Sequence, residues 1–370
     1  MNPDEQKLVY PWNDLQPEPG RALEAAEGVY WVRMPLPFVL DHVNVWLIRD
    51  EYEGRQGWAI VDCGIAREEI RALWEDVFTH CLHGLPVLRV IVTHMHPDHV
   101  GLAQWLCAKW KVPLFMSMTD YVLARLWSQE GPQGEGTGGD TAVAHFGRHG
   151  LVDPEAQAQI RERSGYYRGL VPGMPSTFHR LVHGDWLRIG RHDWRLIVGY
   201  GHAPEHISLY SPALQTLISG DMVLPRISTN VSVFDSEPDA DPLRLYLSSL
   251  AGYDDVPEDT LVLPSHGRPF KGLHERIAQQ RHHHAERLQE VMEACDAQPC
   301  SAADIVPVLF KRKLDLHQLT FAMGEALAHL QALFHEGRLV RDTGSDGIVR
   351  YRVRPPAQLP EESEAEAVQG

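Results

Sequence analysis

The chain has 370 residues, 44% of them hydrophobic, and a formal net charge of −16 at pH 7. This length and apolar share are typical of a globular protein with one large domain and a small second one. The chain is long enough and apolar enough to bury a hydrophobic core. The negative charge disfavours a general nucleic-acid-binding protein, because an acidic chain repels polyanions unless it carries a local basic patch.

The N-terminal part of the sequence predicts neither secretion nor membrane insertion. Residues 1–20 contain no basic segment followed by an apolar run, and no apolar stretch approaches the roughly 20 residues needed to cross a bilayer. We therefore expect a cytoplasmic protein without a membrane partner, with residues 1–24 as an N-terminal extension. Five cysteines without CxxC spacing argue against a disulfide framework and against a cysteine zinc knuckle.

Residues 25–272 have the pattern of a layered α/β domain. Short apolar runs rich in β-branched residues predict buried strands at 43–48, 58–61, 90–92, 196–198, 217–219 and 261–263. Helical periodicity predicts amphipathic helices at 68–78 and 99–110. Because strands and helices alternate along the chain, the pattern indicates an α/β fold.

Residues 131–175 interrupt this alternation as a predicted insertion. It opens with a glycine-rich stretch, 131–140, which is too rich in glycine to order itself at low entropic cost. Long insertions in compact enzymes often cover the active site, so we predict a substrate-binding flap here. The insertion carries arginines and tyrosines that are candidates for contact with an acidic substrate: Arg148, Arg161, Arg163, Arg168, Tyr166 and Tyr167. A solvated helix face is the alternative interpretation of the arginines.

The C-terminal part of the sequence predicts a small second domain. A linking helix is expected over 273–298, and its three consecutive histidines, 282–284, diverge around the helix, so that one packs and the others are solvated. Residues 299–354 predict helices at 302–310, 316–325 and 326–336, then a hairpin with strands at 339–341 and 348–353. Three helices and a β-ribbon resemble a winged-helix domain. The proline-rich, acidic residues 355–370 predict a disordered tail.

Residues 94–99 are the most informative segment for function. Directly after a predicted buried strand they present three imidazoles and a carboxylate: His94, His96, Asp98 and His99. These groups are the ligands that a borderline ion such as Zn²⁺ prefers. Burying them without an ion would leave unpaired polar groups at a cost of about 1–3 kcal/mol each. The segment therefore predicts a metal site at the end of this strand.

The segment resembles the HxHxDH signature of the metallo-β-lactamase superfamily, and four other motifs stand in the order typical of that family. They contain Asp62, His202, Asp221 and His266. The resemblance covers roughly residues 25–272 and implies the αββα sandwich of that superfamily, followed here by the small winged-helix-like domain. Each motif also lies at the carboxyl end of a predicted strand or just after it, so we expect one rim of the sandwich to gather them all.

The resemblance implies a dinuclear centre with seven ligands. His94, His96 and His202 hold the first metal, Asp98, His99 and His266 hold the second, and Asp221 bridges both. We expect Asp62 to orient a ligand histidine, since ligating imidazoles usually donate their other N–H; capping of the next helix is the alternative. Two zinc ions per chain are the first choice, and Fe or Mn also fits a set of carboxylates and imidazoles.

A pair of metals predicts a hydrolytic enzyme. Two cations about 3.5–4 Å apart can share one water and lower its pKa towards neutrality, which supplies a metal-bridged hydroxide as the nucleophile. We expect Asp98 to be the catalytic residue that holds and orients this hydroxide.

The scaffold by itself does not name the substrate. Hydrolysis of a thioester or related acyl compound, such as an acyl-coenzyme A, ranks first. A metal-dependent endoribonuclease ranks second, because the C-terminal segment resembles the extension of some lactamase-like endoribonucleases and is locally basic. Lactone or β-lactam opening follows, and a non-enzymatic metal-retaining sensor comes last. Arg226 and Asn230 are further candidates for contact with substrate. The sequence leaves the number of subunits open, a homo-oligomer included.

Overall fold

The computed structural model describes residues 5–129 and 139–355. Its strands are β1 Ala22–Ala26, β2 Val29–Pro35, β3 His42–Tyr52, β4 Arg55–Val61, β5 Val87–Ile91, β6 Leu114–Met116, β7 His179–Arg180, β8 Trp186–Ile189, β9 His192–Gly199, β10 His206–Ser211, β11 Thr216–Gly220, β12 Leu261–Pro264, β13 Leu339–Thr343 and β14 Val349–Val353. Its helices are α1 Glu68–His80, α2 Pro97–Val100, α3 Ala103–Trp110, α4 Met118–Gln129, α5 Gly139–Arg148, α6 Pro154–Glu162, α7 Tyr166–Leu170, α8 Pro242–Ser249, α9 Leu273–Ala297, α10 Ala302–Leu309 and α11 Leu316–His335.

Two sheets form the body of the molecule. The larger sheet has the strand order β1 to β7, antiparallel from β1 to β4 and parallel from β4 to β7. The smaller sheet has the order β12-β11-β10-β9-β8 and is antiparallel except for its β11–β12 pair. Because neighbouring parallel strands point the same way, their carboxyl ends meet at one rim.

Apolar side chains on both faces of each sheet produce four layers. Between the sheets lies a core that includes Trp31, Trp46 and Trp194. A second core, with Trp74 of α1 and Leu106 of α3, covers the outer face of the larger sheet. The outer face of the smaller sheet is covered by α8 and α9 through a third core. The predicted αββα sandwich is confirmed, and each of the six predicted strand segments overlaps an observed strand.

Two helix predictions were wrong in their bounds. The predicted helix at 99–110 is divided into α2 and α3, because the backbone N–H of Leu102 donates to the Gly64 carbonyl at 3.1 Å instead of continuing a helical ladder. The predicted helices at 316–325 and 326–336 are one continuous helix, α11. Gly324 remains helical within α11 and packs closely on Ser232, so it does not act as a stop.

The C-terminal helices α9, α10 and α11 pack together, and the β13–β14 hairpin lies at the predicted place. His284 is buried beside His329, whereas the His282 side chain is 74% exposed, as predicted for that histidine run. The described part of the predicted insertion forms α5, α6 and α7. Most of its glycine-rich stretch, and nearly all of the predicted acidic tail, lie outside the described residues. Among the residues that are described, no helix is long and apolar enough to span a membrane.

Candidate metal centre

Seven side chains from four segments meet at one rim of the sandwich. The loop after β5 supplies His94, His96, Asp98 and His99, the loop after β9 supplies His202, the end of β11 supplies Asp221, and the loop after β12 supplies His266. The strands β9, β11 and β12 run in the same direction within the smaller sheet, and β5 belongs to the larger sheet. The seven residues that were predicted as ligands are thus brought together in two groups.

The first group consists of three imidazoles and one carboxylate. His94 Nε2 lies 3.0 Å from His96 Nδ1 and 3.2 Å from His202 Nε2. Asp221 Oδ2 lies 3.2 Å from His202 Nε2 and 4.0 Å from His94 Nε2. Three ring nitrogens and one oxygen therefore point at a common centre.

The second group shares the same oxygen of Asp221. Asp98 Oδ2 lies 3.3 Å from His99 Nε2 and 3.4 Å from His266 Nε2. Asp221 Oδ2 lies 3.6 Å from His99 Nε2 and 3.5 Å from His266 Nε2. Asp221 thus stands between the two groups, at the position expected of a bridging carboxylate.

The outer ring nitrogens fix the tautomers of the ligand histidines. His202 Nδ1 donates to the Asn230 carbonyl and His266 Nδ1 to the His42 carbonyl, both at 2.7 Å. The Thr93 hydroxyl donates to Asp62 Oδ2 at 2.8 Å and therefore accepts from His94 Nδ1 at 3.0 Å. With its outer nitrogen engaged in this way, each of these three rings presents Nε2 to the centre, whereas His96 presents Nδ1.

The two groups differ in the protonation of their histidines. Burial and the neighbouring imidazoles lower the pKa of His94, and burial likewise lowers that of His96, to about 3. Burial alone would lower the pKa of His266 too, but Asp221 and Asp98 outweigh it and raise the value to about 10. The pKa of His99 is raised in the same way by Asp98, Asp221 and Asp62 against the effect of burial. Without a cation, protons on these two rings balance the carboxylates.

The donor set fits divalent cations. Three ring nitrogens of the first group converge, with His94 Nε2 at hydrogen-bonding distance from both His96 Nδ1 and His202 Nε2. In addition, Asp221 Oδ1 is buried and has no hydrogen-bond partner among the described residues. Convergent lone pairs and unpaired buried acceptors are costly unless a cation neutralises them. Imidazole and carboxylate in this proportion suit zinc, iron or manganese.

Asp62 occupies the position predicted for a residue that orients a ligand. Its Oδ2 accepts from His99 Nδ1 at 2.8 Å, and its Oδ1 accepts from the Thr93 backbone N–H at 2.8 Å. The helix-capping alternative is not observed, because α1 has Arg67 at its N-cap and no side-chain cap. Asp62 also has φ of +63°, a left-handed conformation that aspartate and asparagine tolerate better than other non-glycine residues.

We expect Asp62→Asn to weaken the second metal position by about 10- to 100-fold, the usual cost of removing a partner of a ligating histidine. Asparagine keeps the backbone conformation and one oxygen, but it places an amide N–H₂ or a neutral oxygen against His99 Nδ1. Zinc titration against a chromophoric chelator should then show one tight site and one weakened site. Two sites of unchanged affinity would contradict this role for Asp62.

His206 and Asp120 also support the centre, and sequence reasoning did not assign them this role. His206 Nε2 accepts from the Asp221 backbone N–H at 3.0 Å. Only glycine fits at position 220, because a Cβ at Gly220 would lie 2.2 Å from the same nitrogen. The buried Asp120 carboxylate accepts from the N–H of Met95 at 2.8 Å and of Glu205 at 2.6 Å. It thereby ties the loop after β5 to the loop after β9.

The residues predicted to contact substrate have different surroundings. The Arg226 side chain is 74% exposed and lies 4.0 Å from Glu5, and the Asn230 side chain accepts from Ser232 Oγ at 2.8 Å. The Tyr167 hydroxyl donates to the Met95 carbonyl at 2.6 Å, which makes Tyr167 a support of the metal loop. Tyr166 is 37% exposed at the start of α7, and α7 packs on α2. Of the four, Tyr166 has the surroundings that best suit contact with substrate.

Known proteins share this fold. Residues 39–266 match the metallo-beta-lactamase superfamily, and residues 288–354 match a metallo-beta-lactamase-like C-terminal domain. A crystal structure of a beta-lactamase domain protein from Burkholderia ambifaria is 54% identical, with a TM-score of 0.90 over 95% of this chain and 100% of that chain. A metallo-beta-lactamase family protein from Thermus thermophilus is 25% identical, with a TM-score of 0.74 over 90% of this chain and 100% of that chain.

A relative of similar length is also named as a metallo-hydrolase. The probable metallo-hydrolase YqjP of Bacillus subtilis is 23% identical over 316 residues, which are 83% of this chain and 92% of that protein. The family match spans more than half of the chain and includes every residue of the two ligand groups. The chain is therefore a member of the metallo-β-lactamase superfamily and a metallo-hydrolase.

Proposed function

We propose that this protein is a dinuclear metallo-hydrolase, with two zinc ions, that cleaves a thioester or related acyl compound carrying an anionic group. The assignment as a hydrolase rests on one observation: a single oxygen of Asp221 lies between the two ligand groups. When bound, a pair of divalent cations supplies water activation near neutral pH and Lewis acidity for developing negative charge. Iron or manganese in place of zinc would leave this assignment intact.

The protein's own residues define where the reaction takes place. The Asp98 side chain is 19% exposed, whereas that of Asp221 is 8% exposed, so Asp98 is the carboxylate nearer to solvent. His99 and His266 hold its Oδ2 from one side. Asp98 can therefore accept and hold a proton from the attacking water while it orients that water towards the acyl carbon. Asp221, placed deeper between the ligand groups, keeps them together.

A cationic and aromatic surface beside Asp98 favours an anionic substrate. The Arg163 guanidinium lies 4.4 Å above the Tyr166 ring. Burial raises the pKa of the Tyr166 hydroxyl, and the neighbouring Arg163 lowers it. Tyr166 begins α7, which packs on the helix α2 that contains Asp98. Arginine recognises phosphate and carboxylate through a planar fork, and an aromatic ring offers a stacking surface. An acyl-coenzyme A has phosphates that suit the arginine and an aromatic base that suits the stacking surface.

The basic C-terminal hairpin supports the acyl assignment over the nucleic-acid alternative. Most of the arginines that made this segment basic in sequence are neutralised by acidic neighbours: Arg338 by Glu336, Arg341 by Asp239, Arg350 by Asp346 and Arg352 by Asp342. Nucleic-acid binding depends on cations that are available to replace counterions on phosphates. Arginines that already have partners contribute less to such a surface.

The test is a substrate panel with metal-loaded protein. Acyl-coenzyme A esters, N-acyl-homoserine lactones and short single-stranded RNA are incubated with wild-type protein and with Asp98→Ala. We expect thiol release from the acyl-coenzyme A that depends on Asp98. Salt-dependent RNA cleavage without thioesterase activity would favour the endoribonuclease, and inactivity on all three despite full metal occupancy would contradict the proposal.

We expect Arg163→Gln to raise KM for an acyl-coenzyme A about 10- to 100-fold with little change in kcat, because a charge-assisted contact to substrate contributes about 1.5–3 kcal/mol. The matched control is Arg161→Gln, which removes a half-exposed arginine already paired with Asp140 at 2.7 Å. A short neutral ester should be cleaved equally by both variants. Equal KM values for the coenzyme A substrate in the two variants would remove Arg163 from the binding surface.

A further inference from the structure

The loop after β12, which carries His266, is held by the first residues of β3. The two segments belong to different sheets, and Asn44 and Pro264 are 220 residues apart in the chain. The His42 carbonyl accepts from His266 Nδ1 at 2.7 Å, and His42 Nε2 accepts from the Gly267 N–H at 2.8 Å. The start of β3 therefore contacts both the ligand side chain and the backbone that follows it.

Asn44 binds the backbone on both sides of His266. Its amide Nδ2 donates to the Pro264 carbonyl at 2.8 Å and to the Gly267 carbonyl at 2.9 Å. Its backbone N–H donates to the Ser265 carbonyl at 2.7 Å. One residue thus binds three carbonyls of this loop, and the turn that presents His266 cannot shift without breaking these hydrogen bonds.

Trp31 fixes the orientation of the Asn44 amide. The indole Nε1 of Trp31 donates to Asn44 Oδ1 at 2.8 Å. Because an indole nitrogen only donates, the atom that it faces is the amide oxygen, which leaves Nδ2 for the two carbonyls. If the amide were turned over, Nδ2 would face the indole N–H and Oδ1 would face the carbonyls. All three hydrogen bonds would then be lost.

The surroundings of Asn44 would suit an apolar side chain. Asn44 has no exposed surface, and its partner Trp31 belongs to the apolar core between the sheets. Its neighbours along β3, residues 43 and 45–48, are all apolar and buried. A buried amide destabilises the fold unless its hydrogen bonds are made. An asparagine in the middle of this apolar run therefore indicates a specific contact.

We propose that Asn44 is a positioning residue for the second metal position: its amide holds the loop after β12 in the conformation that presents His266 Nε2 to the centre. The larger sheet then supplies the support for a ligand that the smaller sheet carries. Support of this kind raises metal affinity because the ligand is already in place before the ion binds. This inference rests on the metal occupancy proposed above and adds to it a residue that is not itself a ligand.

The test is a two-site zinc titration of the full-length protein against a chromophoric chelator, with the visible spectrum of the Co²⁺-substituted protein as a second readout. We expect Asn44→Ser, whose hydroxyl is too short to reach both carbonyls, to weaken the second metal position about tenfold. The d–d bands of Co²⁺ at that position should change. The first position, formed by His94, His96 and His202, should keep its affinity.

His266→Gln identifies which of the two measured affinities belongs to the second position. In that background Asn44→Ser should cause no further loss of zinc affinity, because the loop then carries no imidazole to position. Should Asn44→Ser fail to fold, Asn44→Thr carries the same test. Its β-branched side chain suits a strand, and its hydroxyl is equally short.

Trp58→Phe is the matched control. Trp58 is also buried, and its Nε1 donates to a backbone carbonyl, that of Leu82, at 3.0 Å. It lies opposite Arg49, which is five residues further along β3 than Asn44. We expect Trp58→Phe to lower the Tm and to leave both zinc affinities and the Co²⁺ spectrum unchanged.

The outcomes separate this inference from the proposed function. Wild-type protein that binds no zinc overturns both. Two zinc ions in the wild-type protein, together with unchanged affinity at the second position in Asn44→Ser, overturn only the role of Asn44. An equal loss at both positions, or a loss that adds to that of His266→Gln, also overturns it, because Asn44 would then act independently of His266.

Discussion

Replacement of Asp221 with asparagine will lower turnover by about a thousandfold or more and will remove the ability to hold two metals tightly. One oxygen of this residue lies within 4.0 Å of ring nitrogens from both ligand groups. Asparagine keeps the volume but lacks the negative charge that offsets two cations. A loss of several kcal/mol of transition-state stabilisation corresponds to a rate loss of this size. Metal content by elemental analysis and the rate on the best substrate of the panel measure the effect.

The control for this prediction is a carboxylate without a role at the centre. Asp193 is 56% exposed and pairs with Arg188 on the surface, so Asp193→Asn should keep full activity and metal content. Circular dichroism of Asp221→Asn should show a folded protein. A folded Asp221→Asn variant that retains two metals and wild-type turnover would refute the bridging role.

The ligands were predictable because each one lies in a short motif at a strand end. Asp98 and His266 follow β5 and β12, each of which pairs with a parallel neighbour. His202 follows β9, which runs in the same direction as β11 because both strands are antiparallel to β10. The order of the motifs along the chain indicated the family, and the resemblance to that family implied which ligands bind which metal. Local sequence therefore contained the information for the metal ligands.

The supporting residues were not predictable in the same way. Asp120 binds backbone groups 25 and 85 residues away, and its place at the start of α4 looks like that of an ordinary helix residue. The Gly324 carbonyl accepts from the Val233 backbone N–H, in a loop far earlier in the chain. Contacts of this kind depend on how distant elements pack, for which the sequence has no periodic signal. The same limit explains why Arg226, placed by sequence close to the cleft, pairs instead with the N-terminal Glu5.

Removal of the metals will make the stability of this protein strongly dependent on pH. In the metal-free protein the folded-state pKa of His266 is about 10, against an ordinary value of 6.5, and that of His99 is raised as well. A histidine with a raised folded-state pKa contributes stability that is fully present below pH 6.5 and is lost as the pH rises through the folded value. The free energy of unfolding should therefore fall between pH 7 and pH 9.

The window from pH 7 to pH 9 isolates these two residues. The carboxyl pKa values of Asp120 and Glu325 are raised to about 6 and about 7, so these two groups change the free energy of unfolding mainly below pH 7. The buried thiols of Cys107 and Cys295 change it only above their ordinary pKa of 9. Each of the two histidines contributes up to about 1.4 kcal/mol per pH unit. Urea unfolding of chelator-treated protein at pH 7, 8 and 9 should therefore show a loss of several kcal/mol.

Metal binding should abolish this dependence, because a ligating imidazole carries no proton on its coordinating nitrogen. Zinc added at pH 8 should release about two protons per chain from these rings and about one more from the activated water, which calorimetry in buffers of different ionisation enthalpy measures. His266→Gln should reduce the pH slope of the metal-free protein by about half and the number of protons released by about one. A metal-free protein of constant stability from pH 7 to pH 9 would mean that the carboxylates of Asp98 and Asp221 are balanced by something other than protons on His99 and His266.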